Sequence, residues 1–206
     1  VWRAARINAD RVLVEPAAPG ASRMPFWGGE AAPRSEILGS AGAQFHAAME
    51  QRLNRDGEEP TRQWLIRERH FDDQSADNAV GFYRRQLATG SVPTPERIVV
   101  EHFLDRTGEP IIAILTPYGS RVHYALRLAL EAQFAVRRLP AQLVHHDDGV
   151  LIRPPVEVGE IPENPLAWLR AGSLESDIAD TLEGTALFGL RFRQNAARAL
   201  MLPRMN

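Results

Sequence analysis

The spacing of apolar residues changes character five times along the chain. Between Trp2 and Val14 polar and apolar residues alternate, with Asn8-Ala9-Asp10 as a tight turn, and this period of two predicts a β-hairpin. From Glu36 to Leu53 the period becomes helical. Ile37, Leu38, Phe45, Ala48, Met49 and Leu53 share one face, Ser35 precedes the run and residues 54–57 stop it. Pro60 and Thr61 open a second predicted helix that includes Trp64, Leu65 and Ile66. A third follows Asp73, with Ala76, Val80, Tyr83 and Leu87 at helical spacing and Gly90 past its end.

Residues 91–95 hold two prolines and read as an internal linker. The period then returns to strands: "RIVVEHFLD" (97–105) and "EPIIAILTP" (109–117) are β-branched runs joined through Arg106-Thr107-Gly108. Residues 119–139 predict a long helix, and "AQLVHHDDGVLIRPP" a second hairpin turning at Asp147-Asp148-Gly149. Together these form a ββαββ unit, one small antiparallel sheet with a helix on its face. Two further helices are expected, Leu174 to Leu182 and Ala186 to Leu202. The class is α+β, helical elements packed with a small antiparallel sheet and a β-hairpin at the N-terminus. The sub-parts are residues 1–90, 96–156 and 164–206 of one domain fragment.

Composition narrows the function classes. The chain is 44% hydrophobic and 24% charged, which supports a real core and excludes wholesale disorder. With no cysteine there is neither a disulfide framework nor a thiolate metal site, and a cytoplasmic location is the simplest inference. No apolar run approaches the roughly 18 residues of a spanning helix, and no leader pattern opens the sequence. A net charge of -2 argues against a globally basic nucleic-acid binder, so local patches must decide. All 24 basic residues are arginine, each a planar fork suited to phosphate or carboxylate, although a GC-rich coding bias explains that choice more simply. The chain starts at Val1 and carries no ATPase motif, which leads us to expect a piece of a longer protein.

Neither a phosphate-cradling glycine loop, a dinucleotide fingerprint nor a nucleophile elbow occurs, so no catalytic residue is assigned. "HHDDG" (145–149) offers metal-ligand types, but neighbours on a strand point to opposite faces, which favours a plain hairpin turn and no metal. In "TPYGSR" (116–121) Thr116 or Ser120 is placed to cap a helix, and the free amides with Arg121 would suit an anion; the simpler reading is an ordinary capped start. "PFWGG" holds Phe26 and Trp27 between a stiff proline and two glycines, either plugging a gap or presenting a ring on which a base can stack. Arg191, Arg193 and Arg198 follow Glu183 with no acid among them. They form either a solvated helix face or ion pairs with Glu175, Asp177, Asp180 and Glu183.

Three separated stretches, "MPFWGGEAAPRSEILG", "RIVVEHFLDRTGEPIIAILTPYGSRVHYALRLAL" and "ALFGLRFRQNAARALMLPR", closely resemble in this order the Lhr (large helicase-related) family of superfamily 2 DNA helicases. The resemblance covers nearly the whole chain. In that family these motifs follow two RecA-like motor domains and a winged-helix module, in an additional domain. The resemblance implies ATP and Mg in the full-length protein and no cofactor in this segment. It further implies single-stranded DNA or a DNA–RNA hybrid as partner, intramolecular contact with the RecA-like and winged-helix domains, and work in DNA repair. Trp27 matches the family's stacking tryptophan, while Arg121, Arg191, Arg193 and Arg198 match positions suited to strand phosphates. Two other readings compete: a domain that braces the motor and winged helix without touching DNA, and an independent metal-dependent enzyme centred on His145, His146, Asp147 and Asp148.

Overall fold

In the computed structural model, which describes residues 2–7, 11–16, 32–154 and 163–201, the chain divides into two units, residues 1–31 and 32–206. The first contains an antiparallel hairpin of β1 (Trp2–Ile7) and β2 (Val12–Pro16), in register from Trp2 opposite Pro16 to Ile7 opposite Val12, with a shift between Ala4 and Arg6. The expected turn at Asn8-Ala9-Asp10 and the aromatic pair Phe26-Trp27 lie outside the described residues.

The second unit opens with three helices, α1 (Glu36–Asp56), α2 (Glu58–Arg69) and α3 (Asp73–Thr89). Their starts are written in the caps. The Ser35 hydroxyl accepts the Leu38 N–H at 3.2 Å and the Asp72 carboxylate that of Ser75 at 2.6 Å, each satisfying a donor that the helix leaves without a partner. The second helix begins at Glu58, ahead of the expected Pro60, because a proline is tolerated in the first turn, where no intrahelical N–H is needed. The apolar faces close on one another as Met49, Trp64, Leu65, Ala76, Val80 and Tyr83, and Val92 from the segment after α3 enters the same cluster. The guanidinium carbons of Arg52 and Arg69 lie 4.4 and 4.8 Å from the Trp64 ring centroid.

The ββαββ unit consists of β3 (Val99–Leu104), β4 (Pro110–Leu115), α4 (Ser120–Val136), β5 (Gln142–His146) and β6 (Gly149–Arg153), in the antiparallel order β3-β4-β6-β5. Its second turn is tighter than expected: Asp147-Asp148 alone make it, and Gly149 pairs with His146 as the first residue of β6. Leu130 and Phe134 of α4 pack on Ile112, Ile114, Leu143, Val150 and Ile152 of the sheet. A single 3-10 turn, Pro165–Trp168, sets Trp168 edge-on to Phe134, centroids 5.1 Å apart. The last helices are α5 (Leu174–Glu183) and α6 (Ala186–Arg198).

Two helices end earlier than their apolar spacing suggests. At the end of α4 the Leu139 N–H turns back to the Phe134 carbonyl while Arg138 takes φ 56°, and at the end of α6 the Met201 N–H turns back to Ala196 while Leu200 takes φ 57°. These left-handed caps satisfy carbonyls that continued helix would have used. Helical cluster and sheet are bridged by Arg97, whose guanidinium meets Glu50 with two bonds of 3.0 and 2.5 Å, and by the Gln86 amide, which donates to Glu101 at 2.7 Å. Among the described residues no helix is long and apolar enough to cross a membrane.

Candidate nucleic-acid interface

Three stretches singled out in the sequence meet at Arg34. Its main-chain N–H donates to Asp147 Oδ1 at 3.2 Å; its Nη1 donates to the carbonyls of Pro117 at 3.3 Å and Asp147 at 3.1 Å, and its Nη2 to Asp148 Oδ1 at 2.7 Å. The same Asp147 Oδ1 accepts the N–H of Ser120, first residue of α4, at 2.7 Å. The cap expected from Thr116 or Ser120 is therefore supplied by the β5–β6 turn. A carboxylate from within the protein fills the position where an external anion would sit. The Ser120 amide, seconded by that of Arg34, holds the Asp147 carboxyl below the usual range. Backbones approach closely here: a Cβ on Gly119, at φ 88°, would lie 2.6 Å from the Arg34 carbonyl oxygen, and one on Gly39 would lie 2.6 Å from that of Pro117.

Behind this junction His123 is wholly buried. Its Nδ1–H donates to the His146 carbonyl at 2.6 Å, which leaves Nε2 to accept the Thr116 hydroxyl at 2.7 Å. Burial pushes the imidazole below its ordinary 6.5, so the ring is neutral near pH 7. His145 packs against Tyr124 with centroids 5.2 Å apart, whereas His146 is exposed with Nδ1 3.6 Å from Asp148. Neighbouring strand positions thus send the two imidazoles to different surroundings. Among the described residues no group of three histidines, aspartates or glutamates could hold a metal ion.

Arg121, in the first turn of α4, and Arg191, Arg193 and Arg198, on α6, are all exposed. Tyr124, one turn after Arg121, reaches the α6 cap residue Thr185, O–H to Oγ1 at 3.4 Å, and so ties the starts of the two helices. Arg191 and Arg198, seven residues apart, lie on the same side of α6 at a rise of roughly 10 Å, while Arg193 leaves from another side. Arg193 donates Nε–H to the Gly189 carbonyl at 3.3 Å. Among the described residues Arg121, Arg193 and Arg198 form no ion pair, and Asp177, which the ion-pair reading needs, instead accepts from Ser173 and Gln133. Trp27 lies outside the described residues. The roles of Arg34 and His123, and the capping role of Asp147, escaped the sequence reading because their partners stand far off in the chain, the Arg34–Asp147 pair at a separation of 113.

Residues 92–206 match the family described as DEAD/H associated. The chain belongs to this family, in the form carried by the Lhr helicases. The Lhr helicase/probable uracil glycosylase of Mycolicibacterium smegmatis is 36% identical over 208 residues, which cover 98% of this chain and 13% of that protein. The Lhr helicase/uracil glycosylase of Escherichia coli is 32% identical over 98% of this chain and 13% of its own length. The chain thus spans about an eighth of these relatives. Among solved structures, that of the Mycobacterium smegmatis helicase Lhr bound to ssDNA and AMP-PNP superposes with a TM-score of 0.65 at 31% identity, over 92% of this chain and 24% of that one.

Proposed function

We propose that this chain is the strand-gripping accessory domain of an ATP-dependent DNA helicase of the Lhr type, acting in the cytoplasm and in DNA repair. The carrying observation is the run of exposed arginines on α6, of which Arg193 and Arg198 lack an acidic partner among the described residues, in a chain whose solved relative holds ssDNA. ATP and Mg bind elsewhere in the full-length protein, and the segment supplies no catalytic group. Trp27 offers a sequence-tolerant stacking surface to a base, while Arg121, Arg191, Arg193 and Arg198 neutralise phosphates of the strand. The strand is single-stranded DNA, alone or drawn from a duplex or a DNA–RNA hybrid. The domain also contacts the RecA-like and winged-helix domains.

The test uses the full-length protein. Replacing Arg193 and Arg198 by alanine removes two phosphate contacts and lowers the salt slope of single-strand affinity by about 1.4. Trp27→Ala weakens binding by about 1–3 kcal/mol and uncouples unwinding from ATP turnover. Parent-level affinity and unwinding in all these variants would sink the proposal. The bracing domain is the second reading, favoured by the exposed Leu187 and Leu190 of α6, and it predicts that parent-level outcome.

A further inference from the structure

We infer that Phe188 and Phe192 of α6 form a second base-stacking surface for single-stranded nucleic acid, an inference that rests on the strand-gripping reading above. The two rings stand one turn apart, centroids 6.2 Å apart and planes 23° from parallel, and are 38% and 60% exposed. Among the described residues the other near-parallel aromatic contacts, Phe45 with Trp64 and with Phe71, belong to the helical core. Phe82 is exposed as well, but it stands edge-on to buried Tyr83, and the neighbouring Arg84 is paired with Glu58.

What distinguishes the α6 pair is its setting. Phe188, Arg191, Phe192, Asn195 and Arg198 follow the spacing i, i+3, i+4, i+7, i+10, which on a helix draws one stripe about 15 Å long. Aromatic and cationic side chains alternate along it, and the helix contains no aspartate or glutamate. Only Ala196 of α6 is buried, so the helix turns most of its surface away from the fold. A protein partner seated on the phenyl rings would have to bring its own acidic group for the guanidinium of Arg198, which would otherwise be desolvated without a counter-charge. A single strand meets both needs at once, with base faces for the rings and phosphates for the arginines.

The spacing of the rings also limits the pose. A base inserted between them needs two contact distances of about 3.5 Å, more than the 6.2 Å available, so it stacks on the open face of Phe192 with Phe188 as backing. The rings carry no hydrogen-bonding groups that would read base identity, so the stacking itself is indifferent to sequence.

The experiment compares Phe192→Leu and Phe192→Trp with the parent in the full-length protein, by fluorescence anisotropy with a labelled homopolymeric DNA single strand and with an abasic strand of equal length. Leucine keeps the apolar bulk and removes the π-face; tryptophan keeps both. The expected result is a loss of roughly 5- to 150-fold for leucine on the base-bearing strand, recovery with tryptophan, and no difference among the proteins on the abasic strand. Parent-level affinity for leucine overturns the inference. So does equal weakening by leucine on both strands, which reports damage to the fold. The Arg193→Ala, Arg198→Ala double variant, measured alongside, separates the two levels. If it weakens binding while Phe192→Leu does not, only the stacking surface fails; if neither weakens binding, the strand-gripping reading fails with it.

Discussion

Arg34 and Asp147 are held together twice, main-chain N–H to carboxylate at 3.2 Å and guanidinium to carbonyl at 3.1 Å, across 113 residues of chain. Asp147 is at the same time the cap of α4. One carboxylate therefore joins the entry to α1, the start of α4 and the β5–β6 turn. Residues 32–35, which lead into α1, pass through this junction.

Arg34→Ala should lower stability by about 1–3 kcal/mol, because it leaves two carbonyls and the Asp148 carboxylate short of a charged donor, although Asp148 stays accessible to water. Asp147→Ala should cost about 1 kcal/mol through the lost cap, while Asp147→Asn should cost little, since asparagine caps equally well. Urea unfolding midpoints of the three variants check the ranking.

Two glycines on α1 make a matched pair. At Gly42 an added Cβ meets nothing within 4 Å, so Gly42→Ala should stabilise by about 0.5–1 kcal/mol through the reduced freedom of the unfolded chain. At Gly39 the same methyl would lie 2.6 Å from the Pro117 carbonyl oxygen, a backbone atom. Gly39→Ala should destabilise by about 1–3 kcal/mol, and opposite shifts in melting temperature for the pair would verify the close approach.

Trp64 is nearly buried and carries Arg52 and Arg69 against its ring. Trp64→Ala opens a cavity in the helical cluster and should cost about 3–5 kcal/mol. Trp64→Phe, which keeps part of the bulk and a π-face, should cost clearly less, and denaturant titration of both variants measures the difference.

Stability should fall on mild acidification. Burial lowers the basicity of His46, His123 and His145, so the native state resists protons that the unfolded chain accepts. For a base whose folded value lies below its unfolded one, the stabilisation is complete above the ordinary 6.5 and diminishes as pH falls below it. Asp147 acts in a second, lower window: its contribution is present above the usual carboxylate value of 3.8 and is lost as pH falls through its depressed folded value. Thermal midpoints recorded from about pH 7.5 to pH 5 should decline, and more shallowly in His123→Asn, which keeps a donor for the His146 carbonyl but cannot titrate.

Periodicity made α1, α3, α4 and the paired strands β3 and β4 legible, because the 3.6- and 2-residue repeats of apolar side chains are local facts about the chain. The α+β class followed from the order of those repeats, and three separated motifs carried the relationship to the Lhr helicases. Ends were read less well: α4 and α6 stop where Arg138 and Leu200 enter the left-handed region, a choice made by cap hydrogen bonds that no apolar spacing records.

At the candidate site the arginines were legible as residue types, but not as paired or unpaired ones. "HHDDG" and "TPYGSR" each looked self-contained in the sequence, the one as a turn and the other as a helix start. Only the folded chain shows that Asp147 of the first caps the second while Arg34 clamps both. The sequence by itself determined which segments are helix and strand, since those depend on neighbours a few residues away. The tertiary structure decided which carboxylate fills the α4 terminus, which histidine is neutral and which arginines face water, because such pairings are set by burial and by distances between residues that only the packed chain brings within hydrogen-bond reach.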